Sequence, residues 1–367
     1  MKVVVAPDKF AGTLTATEAA SAIAEGWRGV RPDDEVVGVP MADGGEGTLE
    51  VVASATDAIS VQAEVADARG IATTARWLRL PDGRALVESA QAVGLSGLQP
   101  ELRDPLTATS YGVGQLLALA ADEAHEVVLT LGGSATVDGG AGAMGALGHR
   151  LLREDGNGLK VGAVNLLDLA RVVPGPQLPA QVVVASDVTN PLLGPDGAAA
   201  VFGPQKGADD EAVTTLERCL AHWADVVERD LPGGPWRDLA GAGAAGGLGF
   251  ALVAFTGARL VPGSEVVAGI VGLASALAGA DLVITGEGKL DRQTFDGKAP
   301  GYVADRARSA GARVLAIAGQ VADGAERLVD DWRELGPEGM ERAAELVMAR
   351  AAELARTVGA DDPHLGA

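Results

Sequence analysis

Asp8 and Lys9 follow the β-branched run "KVVV" at the amino terminus, and charged pairs of this kind recur beside glycines along the chain. Asp43 and Glu46 lie in "MADGGEGT", Ser134 and Asp138 in "GGSATVDGG", and Asp187 and Asn190 in "SDVTN". Lys206 lies in "GPQKGA", Glu287, Lys289 and Asp291 in "GEGKLD", and Lys298 in "DGKAP". Phosphoryl transfer uses such parts. Backbone N–H groups and lysines meet phosphates, carboxylates hold Mg²⁺, and a carboxylate takes the proton of an attacking hydroxyl. Each loop alone also has a plain structural reading, as a turn or a helix cap. Several loops on the expected edge of one sheet shift the balance toward chemistry.

The stretch 41–52, "MADGGEGTLEVV", shows the tension. A strand–glycine–helix junction bares N–H groups that attract anions, yet two carboxylates would repel a bare anion. A Mg²⁺ ion beside a phosphate reconciles the two features. Taken by itself, the loop reads as an ordinary turn in which Asp43 caps a helix and Glu46 favours its first turn.

Six of the 29 basic residues are lysines: Lys2, Lys9, Lys160, Lys206, Lys289 and Lys298. Four of these six fall in glycine-containing segments expected to be loops, "APDKFAGT", "GPQKGA", "GEGKLD" and "DGKAP". A compact ammonium can approach a phosphate as a point charge. Loops also take exposed lysines freely.

Several chemistries are disfavoured. Two G-x-G-x-x-G matches, at 140–145 and 241–246, do not join a strand directly to a helix as a dinucleotide fingerprint does, so an NAD(P)-dependent oxidoreductase is a remote alternative. The G-x-x-x-x-G-K-[ST] phosphate loop and the G-x-S-x-G elbow are absent. The four histidines, 125, 149, 222 and 364, share no zinc-ligand spacing.

Net charge of −21 argues against nucleic acid or an anionic membrane as partner. The single cysteine, Cys219, excludes an internal disulfide and reads as a buried thiol on an amphipathic helix. With no long apolar run and no signal peptide at "MKVVVAPDKF", a cytoplasmic protein is expected.

The elements that must position these residues read as α/β. Strand "KVVVAP" leads to a helix opened by the capping box Thr15–Glu18 and running to about Trp27. Strand "EVVGVP" precedes the loop quoted above. From about residue 60 the pattern alternates, with Asp82-Gly83 marking an antiparallel hairpin. A helix over 111–124 and strands over 126–132 and 181–188 follow. The last third returns to βα units and ends on a helix with a 3.6-residue apolar stripe. The ends resemble each other and the middle differs, which predicts a discontinuous α/β domain, 1–60 plus 276–367, with a second α/β domain, 61–275, inserted into it. Ligands of such sheets sit beyond the carboxyl ends of strands, and a cleft between domains is a favoured site.

In order, "VVVAPDKFAGTLTATEAA", "PMADGGEGT", "TLGGSATVDGGAGAMGALG", "SDVTNPLLGPDGAAAVFGPQKGA", "GAGAAGGLGFAL" and "ADLVITGEGKLDRQTFDGKAPGYVA" resemble the motifs of the type I glycerate kinases, the glycerate 2-kinase family. The resemblance runs from residue 2 to about 320. It implies a flavodoxin-like doubly wound parallel sheet joined to the second α/β domain, and ATP- and Mg²⁺-dependent phosphorylation of D-glycerate, usually to 2-phosphoglycerate. The alternatives are a kinase giving 3-phosphoglycerate or acting on another small hydroxy acid, and the chain is expected to be a monomer or homodimer. Two departures stand out: Ala11 replaces the family's usual basic residue, and Lys9 stands where many members carry serine.

Chemistry then suggests roles. Asp187 is expected to accept the proton of the glycerate hydroxyl, and Lys206 and Lys289 to neutralise the transferring phosphoryl group. Asp43, Glu46, Glu287 and Asp291 are the expected Mg²⁺ ligands. Substrate or phosphate contacts are expected from Asp8, Lys9, Gly44, Gly45, Gly47, Thr48, Gly132, Gly133, Ser134, Asn190, Gly286, Gly288 and Lys298. Suppressing hydrolysis of ATP by water would call for closure of the two domains on the substrates.

Overall fold

A computed structural model describes residues 1–291, 294, 298–322, 329–336, 339 and 341–358. It divides into two compact units: residues 1–43, 50–56 and 264–367, and residues 44–49 and 57–263.

The first unit opens with β1 (Lys2–Val5) and β2 (Glu35–Gly38). The second carries β3 (Ile59–Ala66), β4 (Ala72–Arg79), β5 (Arg84–Glu88), β6 (Glu126–Thr130), β7 (Arg150–Leu152), β8 (Arg171–Val173), β9 (Gln181–Ala185) and β10 (Arg259–Val261). The first unit resumes with β11 (Leu282–Leu290), β12 (Arg313–Val321) and β13 (Asp331–Glu334).

The sheet of the first unit has the order β13-β12-β11-β1-β2, and every neighbouring pair is parallel. Counted within the unit this is 2-1-3-4-5, the flavodoxin-like order expected from the family resemblance. Alternate side chains of one strand enter different cores. Val3 and Val5 pack with Ile23, Trp27 and Leu354, while Val4 packs with Val283, Val303 and Val314. Burial on both faces is what a doubly wound sheet requires. Helix Ala16–Val30 starts as expected: Thr15 Oγ1 accepts the Glu18 N–H at 3.2 Å, and Glu18 Oε2 accepts the Thr15 N–H at 2.9 Å. It lies against helix Ala343–Thr357 closely enough that a Cβ at Gly26 would come within 2.1 Å of the Met348 carbonyl oxygen.

The second unit has a six-stranded sheet, β10-β9-β6-β5-β4-β3. Strands β5, β6, β9 and β10 run parallel, whereas β3, β4 and β5 form an antiparallel meander. Asp82-Gly83 sits at the β4–β5 turn as expected, with Gly83 at φ +84°. The core gathers Trp77, Val87, Leu116 and Leu117 with Leu216, Leu220 and Trp223 of helix Asp210–Asp230. Cys219 lies on that helix, fully buried, as its setting suggested.

One local expectation fails. "GEGK" was expected to leave the sheet as a loop, but β11 continues through it to Leu290 and pairs Glu287 with Ala318 and Lys289 with Gln320. Glycine makes this close pairing possible: a Cβ at Gly286 would lie 2.2 Å from the Ile317 carbonyl oxygen, and one at Gly319 would lie 2.3 Å from that of Gly288. Among the described residues, no helix is long and apolar enough to cross a membrane.

Candidate active site

The 2-1-3-4-5 order reverses direction between β1 and β11, and ligands of such sheets sit at the carboxyl ends on either side of that point. A cavity of about 500 Å³ opens there. β1 leads to Asp8 and Lys9, β2 to Asp43, and the end of β11 supplies Glu287, Gly288 and Lys289, with Asp291 and Lys298 following; all eight line the cavity. Gly286 lies one residue further back in β11, where its carbonyl accepts the Asp8 N–H at 2.8 Å.

The charges are unevenly solvated. Asp8 is only 6% exposed. Burial, then the neighbouring Asp43 charge, pushes its pKa up to about 8 despite the Lys9 N–H at 2.7 Å and the Lys9 charge. Burial also raises Glu287, opposed by the Thr294 hydroxyl, which donates to Oε1 at 2.6 Å, and by Lys298 Nζ, 3.9 Å from Oε2. Thr294 Oγ1 also accepts the Asp291 N–H at 3.0 Å, so one hydroxyl ties the strand end to the following turn. Lys289 is exposed, its Nζ 3.5 Å from Asp291 Oδ2.

The remaining expected residues belong to the second unit, again beyond the carboxyl ends of parallel strands. Gly44–Thr48 packs against the loop after β6. The Gly132 N–H donates to the Gly44 carbonyl at 3.3 Å, and a Cβ at Gly132 would meet Gly45 Cα at 2.4 Å. Gly44, at φ +82°, lies beside the Ala185 carbonyl and Gly263. Gly133 adjoins Glu46, whose Oε1 accepts the Ser96 hydroxyl at 2.6 Å. Thr48 turns inward, and its hydroxyl donates to the Gly45 carbonyl at 2.6 Å.

Glu88, at the end of β5, was not singled out from the sequence. Fully buried, it accepts the N–H groups of Gly47 at 3.3 Å and Leu49 at 3.1 Å. Two amides at the start of helix Thr48–Ala55, suited in principle to a bound anion, are therefore engaged by a carboxylate of the protein itself.

Asp187 follows β9, and its Oδ1 accepts the Gly263 N–H at 2.8 Å. Asn190 closes a turn: its side-chain amide donates to the Asp196 carbonyl at 2.8 Å, and its own carbonyl accepts the Gly243 N–H at 2.9 Å. Lys206 ends the short 3₁₀ turn Pro204–Lys206 and is 3% exposed. Its Nζ donates to Ser134 Oγ at 3.2 Å and to the Thr136 carbonyl at 2.8 Å. Burial pushes its pKa down to about 7, and the Asp138 charge opposes that shift. Asp138 is buried as well, which raises its pKa although it accepts from the Ser110 N–H and hydroxyl and from the amides of Gly140 and Gly142. Ser110, like Glu88, carried no signal in the sequence.

Among the described residues, no three His, Cys, Asp or Glu side chains form a metal-binding set by themselves. Magnesium at phosphoryl-transfer sites commonly takes one or two carboxylates and completes its shell with water and phosphate oxygens. Asp8, Asp43 and Glu287 form a mutually repelling carboxylate group around one cavity, which a divalent cation would relieve.

The family model for the "Glycerate kinase family" matches residues 3–358. The chain belongs to the glycerate kinase family. It is an enzyme of the kinase class. It is 43% identical to a glycerate 2-kinase of Escherichia coli K12 over 329 residues, 88% of this chain and 86% of that one. A glycerate kinase of Bacillus subtilis 168 is also 43% identical, over 328 residues covering 88% and 86% of the two chains. A crystal structure from Salmonella typhimurium LT2, provisionally assigned as glycerate kinase 2, superimposes with a TM-score of 0.86 at 41% identity and covers 98% of each chain. The flavodoxin-like sheet and the second α/β unit are thus the architecture of a family member along its whole length.

Proposed function

We propose that this chain transfers the terminal phosphoryl group of ATP to the 2-hydroxyl of D-glycerate in the presence of Mg²⁺. The observation that carries the reading is the cavity at the switch point of the first unit's sheet, where Asp8, Asp43, Glu287 and Asp291 stand beside Lys9, Lys289 and Lys298. Few ligands need carboxylates and ammonium groups in the same cavity. A metal-bound polyphosphate does, because its cation and its oxygens require opposite partners.

Asp43, Glu287 and Asp291 would hold Mg²⁺. When bound, the ion supplies charge neutralisation to the phosphate oxygens. Lys289, exposed at the end of β11, neutralises charge on the transferring group, and Lys9 and Lys298 add to that positive field. Gly288 leaves the cavity wall without a side chain, so a phosphate can approach the strand backbone.

In the second unit, Asp187 accepts the proton of the attacking hydroxyl. Its Oδ1 is anchored by the Gly263 amide. Ser134 and the amide at Gly133 hold substrate oxygens, since the Gly132 N–H is engaged by the Gly44 carbonyl. Lys206, buried beneath Ser134, acts through that hydroxyl rather than by touching the phosphoryl group.

The test is release of ADP on addition of D-glycerate, with L-glycerate, glycolate and lactate as comparators. Release at least tenfold faster with D-glycerate, abolished by chelating Mg²⁺, is expected. Equal rates with glycolate would make the chain a kinase for another hydroxy acid, and no glycerate-dependent release from folded protein would overturn the reading.

A further inference from the structure

The second unit holds another cavity, of about 340 Å³, which shares no residue with the one lined by Asp8 and Glu287. Its volume lies in the range that accommodates small organic ligands. Tyr111, Leu151, Leu159 and Val161 give it an apolar wall, and Arg150 and Lys160 give it two cations. Charge makes this unusual. The chain carries 50 acidic against 29 basic residues, yet among the described residues no carboxylate lines this cavity. Glu154 and Asp155 of the same hairpin line a different cavity, with Asp168 and His222. Many arginines of the chain are committed to ion pairs, but among the described residues neither Arg150 nor Lys160 makes a side-chain hydrogen bond or ion pair. His149 adds no charge: burial lowers its pKa, and its Nδ1 accepts the Gly175 N–H at 2.8 Å.

One wall leads to groups already described. Gly142 lines the cavity, and its N–H donates to Asp138 at 3.2 Å. Ser110, which precedes the lining residue Tyr111, donates to the same carboxylate from N at 2.8 Å and from Oγ at 2.9 Å. Asp138 ends the short loop that Lys206 holds through Ser134 Oγ at 3.2 Å and the Thr136 carbonyl at 2.8 Å. A ligand pressed against Gly142 and Tyr111 would bias the donors of that buried network.

We propose that this cavity is an effector site for a small organic monoanion with an apolar body. The apolar wall takes the body, Arg150 and Lys160 take the charge, and the Gly142–Asp138 contact passes occupancy to the Ser134 loop. The coupling part rests on the kinase reading above, and the binding part does not.

The probe is 8-anilinonaphthalene-1-sulfonate, a flat apolar monoanion whose fluorescence rises in such a pocket. Two variants of the full chain discriminate. Arg150→Ser with Lys160→Ser removes the charge. Gly145→Phe fills the cavity from a position where an added Cβ meets nothing within 4 Å. The expected result is saturable one-to-one binding to the wild type, at least tenfold weaker in each variant, with the unfolding midpoint unchanged. Wild-type-like binding by folded Gly145→Phe, or by the charge-removed variant, would overturn the site. Saturating probe should also change turnover or KM of the wild type at least twofold and leave Gly145→Phe unaffected. Binding that leaves the kinetics of an active wild type untouched would overturn the effector role, while an enzyme without glycerate-dependent turnover would implicate the kinase reading instead.

Discussion

Lys206 and Ser134 are joined by a hydrogen bond of 3.2 Å in the interior of the second unit, with the same ammonium donating to the Thr136 carbonyl at 2.8 Å. A lysine with its charge this deeply placed is costly unless its proton can be given up, and burial pushes its pKa down to about 7. Between that value and the unperturbed value of about 10.4, the unfolded chain binds the proton more tightly than the folded one. The sign follows: this residue makes stability rise with pH across that window. Lys206→Met should lose the slope, so the wild type gains on the variant between pH 7 and 10 in urea unfolding. Turnover should fall about a hundredfold, with a smaller change in KM. A variant that keeps full turnover would leave Lys206 a packing residue only.

Asp8 behaves in the opposite sense. Burial and the charges of Asp43 and Glu287 push it up to about 8, so in metal-free protein it is protonated at neutral pH. A raised carboxylate contributes stability that is fully present below its unfolded value of about 3.9 and lost as pH rises through the folded value. Asp8→Asn removes that loss. The melting temperature of the variant relative to the wild type should therefore climb from pH 5 to pH 9 in the presence of a chelator. A difference that stays flat would mean the three carboxylates are better solvated than their placement indicates.

Asp187→Asn separates chemistry from structure. The amide oxygen of asparagine can still accept the Gly263 N–H that Oδ1 accepts at 2.8 Å, so the fold should be unaffected. Loss of a general base costs about 10²–10⁴ in turnover. Turnover within about tenfold of the wild type, roughly 1.4 kcal/mol of barrier, would remove Asp187 from the proton-transfer step.

Gly246 tests the run "GAGAAGG", which is a packing device rather than a dinucleotide loop. It stands at φ +68°, and a Cβ there would come within 2.0 Å of the Thr136 carbonyl oxygen. Gly246→Ala should destabilise the chain by about 1–3 kcal/mol or more through overpacking and backbone strain. It should also disturb the carbonyl that Lys206 holds. Urea unfolding with an unchanged midpoint would contradict this contact.

The placement of several candidate residues could be read from the sequence because chemistry and topology coincide there. Asp8, Asp43, Ser134 and Asp187 each follow a β-branched run by a few residues, and strand ends are where α/β sheets place their ligands. The alternation that sends Val3 and Val5 to one core and Val4 to the other belongs to a strand buried on both faces. Glu88 and Ser110 carry no local signal because their partners are set by the fold. Glu88 meets Gly47 across 41 residues, and Ser110 meets Asp138 across 28. The glycines of "GEGK" misled for a related reason. Glycine usually punctuates local structure, but here it admits the backbone of β12, which no local window contains.

The most direct measurement couples the product of ATP, Mg²⁺ and D-glycerate to enolase alone, and in parallel to phosphoglycerate mutase plus enolase. Signal from enolase alone, at the rate of ADP release, is the expected result and identifies 2-phosphoglycerate. Signal that appears only when the mutase is added would move the phosphate to the 3-hydroxyl and contradict the proposed 2-kinase.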